Sequence, residues 1–197
     1  MYQVDKLFEI GAKEIGVGIK TNPTRVREYF ASHPSSAGTT DVQAMLNASW
    51  CQLFANWLLV RAGFPLLTRK LTEWIAAGKD KEDDGFQYLL AKPGYVPKRG
   101  DLYYASIVGN KQTDHMGFIM ESLGNKKYKT LDGNAGGIGH IQYGNTIWNG
   151  ATHNGLKGGL GGGVVCYNER HDNGGQDVKI TGFIKLPLMI YTQNPYA

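Results

Sequence analysis

Fourteen consecutive residues, Trp50-Cys51-Gln52-Leu53-Phe54-Ala55-Asn56-Trp57-Leu58-Leu59-Val60-Arg61-Ala62-Gly63, constrain the fold most. They read as one helix with apolar side chains nearly all round, so it must be enclosed on every side. Gly63 and Pro65 end it. Its longest apolar run, Leu53 to Val60, is interrupted by Asn56 and falls far short of the ~18 residues that span a bilayer. An integral membrane segment is therefore not expected, and the rest of the chain has to wrap this helix. With 197 residues, one domain can supply that wrapping.

The segments upstream read as helical. Leu7, Ile10 and Ile15 form an apolar stripe, and Asn22-Pro23 pairs an N-cap with Pro at the first helical position ahead of Val26, Tyr29 and Phe30. Residues 32–40 are a polar loop. Thr68 caps a further short helix running through Trp74 and stopped by Gly78. After Gly85 the pattern changes from period 3.6 to period 2. Pro97-Lys98-Arg99-Gly100-Asp101 is a turn, and strands follow at 102–108, 115–121, 128–132 and 178–186, the second and third joined through Gly124-Asn125. Between Gly133 and Gly175 lie 14 of the 27 glycines, which predicts loops with one strand over 164–167. Helices first and an antiparallel sheet second is the order of an α+β domain. The expectation is a single catalytic domain over 1–197, with a Gly-rich insertion or loop region at about 135–175.

Cys51 opens the central helix, where backbone N–H groups and the helix dipole favour a thiolate. The bland alternative is an inert buried cysteine. His115 begins a strand in Asp114-His115-Met116-Gly117-Phe118-Ile119, and can act as base and imidazolium partner to a thiol. Alone it is an ordinary histidine. Asp132 and Asn134 follow one strand later, in Leu131-Asp132-Gly133-Asn134, which by itself is only a turn. Adjacent antiparallel strands bring that pair beside His115, where a carboxylate or amide fixes the ring tautomer. Each signal is weak; the ordered set of Cys on a helix N-terminus, then His, then an acid or amide is strong.

Other residues carry less. Cys166, in Gly163-Val164-Val165-Cys166-Tyr167, reads as core packing, and His140, His153 and His171 as loop histidines or cleft lining. Trp50 and Trp57 read as core, Trp148 as an exposed loop aromatic. Two cysteines are too few for a disulfide framework, and no Cys/His spacing is that of a zinc site. Neither Gly158–Gly163 nor Gly11–Thr21 has the lysine of a P-loop, so no nucleotide or other cofactor is expected. The net charge of +4 fits a solvated surface or weak attraction to an anionic polymer; no nucleic-acid motif accompanies it. The first residues, MYQVDKLFEIGAKEIG, place acids where a secretory signal is apolar, so no cleavable signal is expected.

With these residues in place, the chain resembles the CHAP domains (cysteine, histidine-dependent amidohydrolase/peptidase) and the related NlpC-like murein hydrolases. Trp50-Cys51 followed by Phe54-Ala55-Asn56-Trp57-Leu58 and Ala62-Gly63 looks like their nucleophile helix. Glu14-Ile15-Gly16-Val17 and Asn22-Pro23 with Val26 and Tyr29 agree upstream. Gly100-Asp101 before a strand and His115-Met116-Gly117-Phe118-Ile119 match their "GD…GHVG" pattern, with Asp114 in place of the usual glycine. Gly133-Asn134 matches their Gly-Asn, with Asp132 where many members carry Glu. The resemblance covers roughly residues 7–134.

It implies a papain-like, NlpC-type fold and hydrolysis of amide bonds in peptidoglycan. By carry-over Cys51 is the nucleophile, His115 the base and Asp132 the residue orienting it, a role Asn134 can share. The Cys51 backbone N–H supplies part of an oxyanion hole; a second donor is usual in such sites and the sequence does not name it, though Ser49 and Gln52 are near. Two deployments follow: an antibacterial effector made without a signal, delivered to a target periplasm and matched by an immunity protein, or a phage endolysin. A papain-like protease or deamidase acting on proteins, and a non-catalytic wall-binding domain, are the rival classes. A monomer is expected.

Overall fold

The computed structural model describes residues 4–46, 48–67, 81–83, 85–90, 95–107, 113–135, 140–143, 146–149, 163–171 and 178–187. The helix expected between Thr68 and Gly78, and His153, lie outside the described residues.

The architecture is α+β, with helices preceding an antiparallel sheet. Helix α1 (Val4–Ala12) buries Val4, Leu7, Phe8 and Gly11, one stripe at helical spacing. It ends before Ile15, which the stripe alone would have included. The chain there turns out of the helix because the following segment pairs with the sheet: Gly16 donates to Val165 O and Val165 donates back to Val17 O. Helix α2 (Pro23–Ala31) starts as its sequence predicts, with Asn22 Oδ1 accepting from Arg25 N at 3.0 Å. A short helix, α3 (Val42–Leu46), follows Asp41, which caps Ala44 N; the sequence reading had no element there.

Helix α4 (Cys51–Arg61) is buried at Cys51 and from Phe54 to Leu59, while Val60 and Arg61 in its last turn are exposed, so the enclosure expected on every side stops short of the C-terminal end. Trp50, Phe54 and Trp57 pack around the Tyr29 ring of α2 at centroid distances of 5.0–5.7 Å. Asn56, the polar interruption, is fully buried. Its amide is satisfied by the Leu67 backbone, accepting at 3.2 Å and donating at 3.3 Å. It pins the exit of the helix, where Gly63 takes φ +90°.

Among the described residues, seven strands form the main sheet in the order β1-β2-β9-β3-β4-β5-β8: Lys81–Asp83, Phe86–Leu90, Val178–Lys185, Leu102–Ile107, Thr113–Gly124, Lys127–Ala135 and Val164–His171. Every ladder is antiparallel. The first two strands were not foreseen. The Gly-rich stretch also holds more regular structure than expected: β6 (His140–Tyr143) and β7 (Thr146–Asn149) form a separate hairpin. His140 and Trp148 therefore sit in strands rather than loops, and His171 ends β8.

The sheet has two differently used faces. Leu102, Tyr104, Met116, Phe118, Leu131 and Val165 join the helices in one apolar core. Tyr103, Ala105, Ile119, Tyr128, Ile180 and Phe183 form a second cluster on the opposite face. There the sheet curls: the Tyr128 ring of β5 meets Phe183 of β9 edge-on at 6.1 Å, although β3 and β4 lie between them. Asp101 holds the turn into β3, accepting from Tyr95 Oη at 2.6 Å and Lys98 N at 2.7 Å. The Gly-Asp pair before the strand is thus structural. No described helix is long and apolar enough to cross a membrane.

Candidate active site

Register alone assembles most of the site. Tyr103 pairs with Gly117, Gly117 with Asp132, and Asp132 with Cys166, across β3, β4, β5 and β8. Directly opposed residues share a face, and residues two and four further along a strand share it too. His115, Asn168 and Arg170 therefore join the same side. Gly117 lies under this group because a Cβ there would strike Asp132 Oδ1 and come within 2.8 Å of the Tyr103 ring. Gly133 serves the other face, where Phe54 Cβ of α4 lies 2.6 Å from the position a Cβ would take.

The N-terminus of α4 meets β4 at His115 and Met116. Cys51 is hydrogen-bonded to His115, and its sulfur also receives the Met116 backbone N–H. Ser49 Oγ, on the exposed side, lies 3.5 Å from Cys51 Sγ. Burial pushes the thiol up, but the hydrogen bond and charge of His115, with Ser49 and Met116, outweigh it, so Cys51 ionises below its ordinary value. For His115, burial disfavours the charged ring, yet the Asp132 carboxylate and the Cys51 sulfur raise its pKa to about 9. Both shifts favour a thiolate–imidazolium pair at neutral pH.

His115 Nε2 faces Asp132 Oδ2 at 3.4 Å. That exceeds the ~2.7–2.9 Å of a charge-assisted hydrogen bond, so the contact acts through charge more than through a shared proton. The opposite ring nitrogen is left to face the thiol. Asp132 is fully buried and densely held. Tyr103 Oη donates to Oδ1 at 2.8 Å; Asn168 Nδ2 donates to Oδ2 at 2.7 Å; Arg170 donates to Oδ2 from Nη2 at 2.6 Å and from Nε at 3.1 Å. Burial would raise the carboxyl, but the Arg170 charge, then His115 and Tyr103, hold it well below the usual carboxylate range. Burial lifts the Tyr103 phenol, which stays protonated as a donor.

Cys51, His115 and Asp132 thus stand together, as their order in the sequence predicts. Asn134, in a left-handed conformation (φ +54°), accepts from Gly163 N at 3.2 Å through its Oδ1 and ties β5 to the start of β8. Cys166 is fully buried, and burial first, then the Asp132 charge, pushes its thiol up to about 12. Cys51 and Cys166 are not joined in a disulfide. Tyr103, Asn168 and Arg170 were missed by the sequence reading. The available signal was period 2 beyond Tyr167: Cys166, Asn168 and Arg170 share one face once the strand continues to His171. The chain matches no protein-family model and no curated protein sequence.

Proposed function

We propose that the chain is a cysteine hydrolase of papain-like, NlpC-type fold that cleaves amide bonds in bacterial peptidoglycan. The observation that carries the chemistry is Cys51 at the N-terminus of a buried helix, hydrogen-bonded to a His115 that faces a buried Asp132. The choice of substrate rests on the resemblance over residues 7–134, together with the net positive charge, which suits an anionic wall polymer.

On this reading the Cys51 thiolate attacks the amide carbonyl carbon. The oxyanion is met by the Cys51 backbone N–H at the first position of α4. His115 gives its proton to the leaving amine as the C–N bond breaks, which leaves a thioester on Cys51. Water then attacks that thioester, His115 takes the proton, and the acid product departs. Asp132 orients the ring and balances its charge throughout. The deployment we favour is an antibacterial effector delivered to the periplasm of a target cell, with an immunity protein guarding the producer.

Digestion of purified sacculi with mass analysis of the fragments tests this. New peptide termini, or stem peptides released from the sugar, are expected with the wild type and neither with Cys51→Ala. Intact sacculi, with cleavage of a protein substrate, would move the assignment to a protease or deamidase. Sacculus binding without cleavage would leave a wall-binding domain. Routing the protein to the periplasm of a Gram-negative host should lyse the cells only when Cys51 is present.

A further inference from the structure

The buried arginine beside the site has no part in the mechanism so far. Arg170 is only 8% exposed, and it comes from β8, two strands away from His115 on β4. Its guanidinium makes two contacts to one oxygen of Asp132, at 2.6 and 3.1 Å, and a third to Tyr103 Oη at 3.1 Å. The oxygen it holds, Oδ2, is the one that faces His115 Nε2. A buried arginine is costly unless it is paired, and surface solvation would serve a structural tie as well. Its placement bears on what the Asp132 carboxylate can do to the histidine.

We propose that Arg170 is a positioning residue of this site: its planar fork aims the Asp132 carboxylate at His115, and its charge tempers the hold of that carboxylate on the imidazolium. The inference rests on the functional reading above. A histidine that must hand its proton to a leaving amine works best when it does not bind that proton too tightly. Alone in a buried setting, Asp132 would bind it very tightly, because release would leave an uncompensated anion. With Arg170 present, release leaves a neutral Asp132–Arg170 pair. No proton moves on Arg170 or Asp132 in the cycle. The groups facing the His115–Asp132 pair among the described residues are Cys51 from α4, Tyr103 from β3, and Arg170 and Cys166 from β8. Asn168 adds a neutral donor.

Two substitutions in the full-length chain separate aim from charge. Arg170→Gln removes the charge and keeps one donor. Arg170→Lys keeps the charge and loses the fork. The readouts are titration of the His115 imidazole by NMR, which needs no substrate, and turnover of soluble wall fragments. With Arg170→Gln the last proton of the His115–Asp132 pair should be lost about one pH unit or more higher than in the wild type. With Arg170→Lys that titration should stay near the wild-type value, while kcat falls about tenfold with KM unchanged. A folded Arg170→Gln that titrates like the wild type, or a folded Arg170→Lys with wild-type kcat, would overturn the proposal. If Arg170→Gln does not fold, the Lys variant decides. If the wild type cuts no wall fragment, the functional reading fails while the titration still decides the role of Arg170.

Discussion

Removing Asp132 should damage the fold before it informs on catalysis. Its carboxylate is fully buried and accepts two hydrogen bonds from Arg170, as well as those of Tyr103 Oη and Asn168 Nδ2. Asp132→Ala would leave a buried guanidinium without a counter-charge, which costs about 3–5 kcal/mol. Domains of this size hold roughly 5–15 kcal/mol in all, and a loss of that order lowers Tm by about 6–20 °C. Arg170→Met should cost a similar amount by stranding the carboxylate. The double variant should cost less than the sum of the two by about 2 kcal/mol or more, because neither charge is then left alone. Urea unfolding followed by fluorescence suits the test, since Trp50 and Trp57 lie in the core. The Asp132 carboxyl is held below its ordinary value, so its contribution is present above ~3.9 and fades as pH falls through its lowered folded value. The Asp132→Ala penalty should therefore be largest near neutrality and shrink toward acid. Additive single losses, or an unchanged midpoint in Asp132→Ala, would refute the reasoning. Asp132→Asn, which keeps shape and an acceptor, is the variant in which to look for the loss of turnover.

Gly117→Ala should cost about 1–3 kcal/mol and most of the activity, because the new methyl group meets the Asp132 carboxylate and the Tyr103 ring; a thermal melt and a turnover assay check it. Cys166→Ala should keep most activity and remove no alkylation site, since that thiol is fully buried and its pKa lies near 12; intact mass after iodoacetamide treatment reads this directly.

The parts of this fold visible in the sequence are those set by local pattern. Asn22-Pro23 announces the start of α2, and the continuous apolar surface of α4 announces its burial. Alternation from Leu102 onward marks β3, β4 and β5, and pairing of β4 with β5 brings His115 beside Asp132. What stayed hidden depends on contacts distant in sequence. The segment 16–18 leaves α1 early to bond with β8, which no stripe of apolar residues signals. Phe86–Leu90 is a strand because β9 pairs with it almost a hundred residues later. Arg170 looks like any surface cation until register sets it opposite Tyr128 and on the face that carries Asp132. Asn134 and Asp132 were not separable by spacing; the bulge between Asp132 and Ala135 turns the Asn134 amide to Gly163.

The central claim is that His115 holds Cys51 as a thiolate nucleophile, and the pH dependence of Cys51 alkylation tests it most directly. The rate with iodoacetamide is followed by intact mass, and the site is located by peptide mapping, in the wild type and in His115→Ala. Cys51 should react with a midpoint below the ~8.5 of an ordinary thiol, and His115→Ala should return the midpoint to that value or higher. A wild-type midpoint at or above ~8.5, or one that His115→Ala leaves in place, would contradict it.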